Sequence, residues 1–248
     1  MKYIEYGKEN KEVIILLHGG GLSWWNYREV AERLQLKYHV ILPVLDGHAD
    51  SDRDFTTIEA NAEEIIAFID EQFGGSVFLI SGLSLGGQIL LEILSKRENI
   101  CRYALIESAL VVPSKLTHAL IAPVFGSCYG LIKQKWFAKL QFKALRITPE
   151  LFEEYYRDTC KISKQNMIAF LQENALYSMK ESLSKYKAKV HIVVGEKESP
   201  AMKKSAKLLQ KNILGCTMLE LPGLYHGEFS INHGKEYADQ IFTMEDKP

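Results

Sequence analysis

Ser84 stands in Gly82-Leu83-Ser84-Leu85-Gly86-Gly87, directly after the apolar, β-prone run Val77 to Ser81 and directly before a helix-like segment, Gln88 to Lys96. A strand that turns sharply into a helix while pointing one side chain outward puts its central residue in strained backbone geometry. Side chains two positions away on either side would collide. Gly82 and Gly86 carry none. The turn lifts the Ser84 hydroxyl clear of the backbone and leaves the amide of Leu85, at the start of the new helix, free to donate to an anion. Acyl transfer needs such a hydroxyl beside such an anion site.

A second glycine cluster, His18-Gly19-Gly20-Gly21, follows the apolar run Val13 to Leu17. Consecutive glycines let the backbone approach a substrate and aim its amides at a developing oxyanion. Gly20 is the expected donor. A serine hydroxyl is a weak nucleophile until a base takes its proton, and imidazole is the usual base near neutral pH. Of the seven histidines, His226 in Pro222-Gly223-Leu224-Tyr225-His226-Gly227 sits just past the last strand-like run. His233 is its rival, placed where a final helix should begin. The carboxylate that orients the imidazole should come from another strand end, and Glu198 in Gly195-Glu196-Lys197-Glu198 is the leading candidate. Glu107, closing the run Tyr103 to Ile106, and Glu196 are the alternatives.

The elements that must position these residues are strands alternating with helices, the pattern of a mainly parallel sheet covered on both faces. Val13 to Leu17, His39 to Pro43, Val77 to Ser81, Tyr103 to Ile106, Val190 to Gly195 and Thr217 to Leu221 read as central strands, with Lys2 to Tyr6 at an edge. Tyr27 to Leu36, Thr57 to Phe73, Gln88 to Lys96 and Ala201 to Asn212 read as helices. In an open parallel sheet, ligands bind beyond the carboxyl ends of the strands, where the glycine motifs, Glu198 and His226 all fall. The alternation is interrupted from about Val112 to Lys187 by a segment rich in aromatic and helix-forming residues and lacking a strand-like run. It is expected to be a helical cap inserted at 112–187 into a core made of 1–111 and 188–248. Thr148-Pro149-Glu150 marks a helix start within it. Its aromatic residues, Trp136, Tyr155 and Phe170 among them, should mostly pack the cap and its seat, with some sealing a pocket.

The 248 residues carry a formal net charge of −1, and no basic stretch is dense enough to track a phosphate backbone, so nucleic-acid binding is not expected. No apolar run approaches spanning length, which argues against membrane insertion, and the N-terminal stretch lacks the features of a secretory leader; a cytoplasmic location is expected. Cys101, Cys128, Cys160 and Cys216 are scattered, without metal-ligand spacing, and read as buried free thiols. Neither a metal nor another cofactor is expected.

Together these residues, spread over nearly the whole chain, resemble the α/β-hydrolase superfamily. The resemblance implies that Ser84 is the nucleophile of a nucleophile elbow, His226 the base, and the amides of Leu85 and Gly20 the oxyanion hole. Leu45 to Ser51 is similar to the family's loop after the second central strand, often Gly-His-Gly-x-Ser, but Ala49 replaces a glycine and an extra residue precedes Ser51. Family members often have aspartate where this chain has Glu198. The implied activity is a serine hydrolase acting on small esters or thioesters with an apolar acyl or aryl group. A cofactor-free lyase or synthase using Ser84 and His226 for proton transfer, and a non-catalytic binding module, are the alternatives on the same fold.

Overall fold

Seven apolar runs form one sheet: β1 (Tyr3–Tyr6), β2 (Val13–Leu17), β3 (His39–Pro43), β4 (Val77–Leu83), β5 (Cys101–Glu107), β6 (Lys189–Gly195) and β7 (Thr217–Leu221). The computed structural model describes residues 1–180, 183 and 186–245. Positions 181, 182, 184 and 185 of the expected insertion, and 246–248 of the expected core, lie outside the described residues. The strand order is β1-β3-β2-β4-β5-β6-β7, with β1 antiparallel to β3 and every other pair parallel. Every residue of β2, β3 and β4 is buried, which explains why these strands read as continuous apolar runs rather than alternating ones.

Helices cover both faces. Along β2, Ile15 and Leu17 join the core beneath α2 (Ile58–Phe73) and α3 (Leu85–Lys96), while Ile14 and Leu16 join the core beneath α1 (Arg28–Leu34), as the two-residue strand period requires. Thr57 caps α2 by accepting the Ala60 N–H at 3.0 Å, and Gly74, at φ 67°, ends it in the left-handed region that glycine enters without penalty. β4 runs two residues further than expected and α3 begins three residues earlier, at Leu85, so that Ser84 alone makes the turn.

Between β5 and β6 the described residues form the α-helices α4 (Lys115–Ile132), α5 (Lys135–Ala144), α6 (Phe152–Lys161) and α7 (Lys164–Leu176). Polar bonds seat them on the core. Fully buried Gln88 of α3 donates to Leu110 O at 2.7 Å and to Asn174 O at 3.1 Å, and accepts from Asn174 Nδ2 at 2.9 Å. Trp25 Nε1–H donates to the buried Asp158 carboxylate of α6 at 2.9 Å. After β6 come α8 (Pro200–Asn212), α9 (Glu228–Asn232) and α10 (Gly234–Glu245).

Thr148-Pro149-Glu150 opens a helical segment as expected, a 3-10 turn, Pro149–Leu151, that leads directly into α6, with the Thr148 hydroxyl donating to Glu150. Two local expectations need correction. All four cysteines are free, but only Cys101 is buried; Cys128 is exposed and Cys160 and Cys216 are half-buried. Trp136 is 63% exposed instead of packing the insertion, because it lies on the side of α5 opposite buried Ala138 and Phe142.

Candidate active site

Ser84 adopts φ 53°, ψ −109°, a conformation that L side chains rarely take. Glycine on either side makes it possible. A methyl group on Gly82 would lie 2.2 Å from Gly86 O, and one on Gly86 would lie 2.1 Å from Leu17 O. The Ser84 N–H donates to Glu107 O at 2.9 Å, pinning the turn to β5. Leu85 is the first residue of α3, where N–H groups have no intrahelical acceptor and the helix dipole is positive.

The loop after β2 brings Gly20 beside this turn: a methyl group there would sit 3.5 Å from Leu85 Cδ2 and 3.4 Å from the Phe170 ring. Two buried histidines hold the loop. His18 donates from Nδ1–H to Gly19 O at 2.9 Å and accepts the Leu45 N–H at Nε2, 3.1 Å away. His48 donates from Nδ1–H to Asp46 O at 3.0 Å and accepts the Gly21 N–H at 3.0 Å. Each must be neutral to keep an acceptor nitrogen. Burial lowers both, His18 to about 3 with the neighbouring His48 contributing, and His48 to about 4. Neither histidine's part in shaping the loop was legible from the sequence, since the partners are backbone groups on other segments.

His226 follows β7, and its Nδ1–H donates to Glu198 Oε2 at 2.9 Å. The other oxygen of Glu198 accepts the Gly195 N–H at 2.8 Å and the Ser108 hydroxyl at 2.7 Å. Burial by itself would raise the Glu198 carboxyl, but the hydrogen bond and charge attraction from His226, with the Gly195 and Ser108 donors, hold it below its usual value. Ser108 was missed at the sequence level. Its signal was position alone, one residue past the carboxyl end of β5, and it takes φ 54° there.

The competing carboxylates accept backbone N–H groups elsewhere. Glu107 is buried, and its Oε1 accepts the Ser230 N–H at 3.2 Å. Burial raises its carboxyl to about 7, with the Ser230 bond opposing and the charge of Glu198 adding to the rise. Glu196 is exposed and accepts the Gly223 N–H at 2.8 Å. His233 closes α9, its N–H donating to Phe229 O at 3.2 Å.

Ser84, Gly20 and His226 share a cavity of about 240 Å³. Phe125, Ile132, Leu145, Tyr155, Met167 and Phe170, from the segment between β5 and β6, form its apolar walls, with Gln141 and Thr159 as polar points. Among the described residues, no Asp, Glu, Lys or Arg lines it. No group of three or more histidines, cysteines or carboxylates among the described residues is placed to hold a metal ion, and no helix among them is long and apolar enough to cross a membrane.

The pattern of the alpha/beta hydrolase family matches residues 14–240, and the chain belongs to that family. Solved structures with the same fold include an esterase from Exiguobacterium antarcticum, with a TM-score of 0.83 at 17% identity, covering 99% of this chain and 95% of the other. The enol-lactonase from Burkholderia xenovorans superposes with a TM-score of 0.80 at 14% identity, over 99% of this chain and 96% of the other. MenH from S. aureus gives 0.77 at 18% identity, over 98% and 96%. No curated protein matches the chain by sequence.

Proposed function

We propose that this chain is a serine hydrolase that cleaves small, uncharged carboxylic esters or thioesters through an acyl-enzyme on Ser84. The observation that carries the reading is the Glu198–His226 bond at 2.9 Å, which directs the second imidazole nitrogen away from the carboxylate, in a cavity that also holds the strained Ser84 turn. In this mechanism the Ser84 hydroxyl attacks the carbonyl carbon while His226 Nε2 takes its proton. The tetrahedral oxyanion accepts the N–H groups of Leu85 and Gly20, each such donor being worth roughly 3 kcal/mol at the transition state. Collapse expels the alcohol or thiol, protonated by the imidazolium. Water, deprotonated by His226, then releases the acid. Glu198 fixes the Nδ1–H tautomer and, being held ionised, stabilises the imidazolium. Residues 1–111 and 188–248 supply this machinery, and 112–187 serve as a cap that shapes the acyl site.

Esterase and lactonase structures on the same fold agree with this reading. The uncharged apolar walls favour a neutral acyl or aryl group, because an ionised substrate carboxylate would be desolvated there without a partner. Treatment with a fluorophosphonate should add one adduct to the wild-type chain, mapping to Ser84, and an activated ester should give a burst equal to the enzyme present. Ser84→Ala should show neither and lose turnover while unfolding at the wild-type temperature. Wild-type turnover in Ser84→Ala would overturn the assignment, and an adduct without a burst on any ester would favour proton-transfer chemistry instead.

A further inference from the structure

The two helices that roof the cavity turn apolar side chains in two directions. On the inner side of α4, Phe125 and Ile132 line the cavity. On its outer side, Leu116, Leu120, Val124 and Leu131 stand exposed, Leu116 by 72%, at spacings of four, four and seven residues that put them on one stripe along the helix. The next helix repeats the arrangement, with Trp136 and Leu140 exposed four residues apart, opposite buried Ala138 and Phe142. Leaving so many large apolar side chains of two consecutive helices in water is unfavourable by itself and marks a contact surface.

The charge around this stripe says what it contacts. From Ser108 to Pro149 the chain has no Asp or Glu, but it has Lys115, Lys133, Lys135, Lys139, Lys143 and Arg146. On α5, Lys135, Lys139 and Lys143 form a row beside the exposed Trp136 and Leu140; among the described residues, only Lys135 of this row meets a carboxylate, that of Glu153 at 2.8 Å. An apolar helix face with an exposed tryptophan and a lysine flank is the chemistry of a helix lying in the interfacial plane of an anionic bilayer. A two-fold pairing of copies through this face would instead bring two lysine-rich surfaces together, with like charges opposed. We propose that the outer faces of α4 and α5 dock on an anionic phospholipid surface, without spanning it, and so set the cavity roof against the lipid.

The test is co-sedimentation of the full chain with vesicles of phosphatidylcholine alone or mixed with phosphatidylglycerol, with tryptophan emission, read against that of Trp136→Phe, as a second readout. The wild type should bind the mixed vesicles, shift its emission to the blue, and release as salt is raised. Leu120→Glu with Val124→Glu should abolish binding. Lys139→Gln and Lys143→Gln should each weaken it about fivefold. Unchanged unfolding temperatures show that the variants are folded, and the binding readout does not depend on Ser84 chemistry. Failure of the wild type to bind mixed vesicles, or equal binding by the double glutamate variant, would overturn the proposal. So would self-association in solution that the glutamate pair abolishes while vesicles are ignored, which would assign the face to a second copy.

Discussion

The Glu198 carboxylate divides its oxygens between tasks: Oε2 receives the His226 Nδ1–H, while Oε1 receives Gly195 and Ser108. Glutamine cannot do both equally, because an amide has one acceptor oxygen and no charge to stabilise an imidazolium. Glu198→Gln should therefore lower kcat by about three to four orders of magnitude with little change in KM. Glu107→Gln and Glu196→Gln, whose carboxylates bind backbone N–H groups of Ser230 and Gly223 respectively, should stay within a few-fold of wild type. His226→Ala should be nearly as damaging as Ser84→Ala, and His233→Ala mild. Steady-state kinetics across this set checks the assignment, and a large loss in His233→Ala with none in His226→Ala would move the base to the later position.

At the scale of elements, the turn from β4 to α3 depends on backbone-to-backbone clearance. The methyl group of Gly82→Ala or Gly86→Ala would meet carbonyl oxygens at 2.2 and 2.1 Å, and no side-chain rotation relieves that. Either substitution should displace Ser84, so that turnover is lost or the chain fails to accumulate folded. Gly130 in α4 is the contrast, since a methyl group there has no neighbour within 4 Å. Gly130→Ala should raise stability by about 0.5–1 kcal/mol, because alanine loses less backbone freedom in a helix. Thermal unfolding of the three variants distinguishes steric limits from glycine used without need.

For the whole molecule, two carboxylates at the carboxyl ends of neighbouring strands respond to pH in opposite senses. Glu107, raised in the folded state to about 7 by burial, binds more protons folded than unfolded between its ordinary value and about 7. Stability from this group therefore falls as pH rises across that window, then levels off. Glu198, lowered when folded, contributes stability above its unfolded value, and that contribution is lost as pH falls through its folded value. Glu107→Gln mimics the protonated acid, so it should stabilise the protein at pH 8 by on the order of 2 kcal/mol and have little effect near pH 4. Denaturant unfolding at both pH values measures this, and a variant less stable than wild type at pH 8 would show that Glu107 is held by partners that need its charge.

Much of this architecture is local in origin and was legible in the residues. The buried strands declare themselves as apolar runs, the stretch Thr57 to Phe73 reads as the helix that α2 is, and the glycines around Ser84 announce a turn only they allow. His226 could be preferred to His233 because one follows a strand and the other precedes a helix. Which of three strand-end glutamates reaches the imidazole was open, since Glu107, Glu196 and Glu198 differ in sequence context too little to decide it. Only the packing of β6 beside β5 and β7 decided, placing Glu198 between Ser108 and His226 and leaving Glu107 beneath α9. The same holds for Gln88 and Asn174, for the histidines that brace the glycine loop, and for the outward face of α4. Residue type and spacing describe what a side chain can do, but its partner comes from a distant part of the chain, and that meeting exists only once the sheet and its helices have packed.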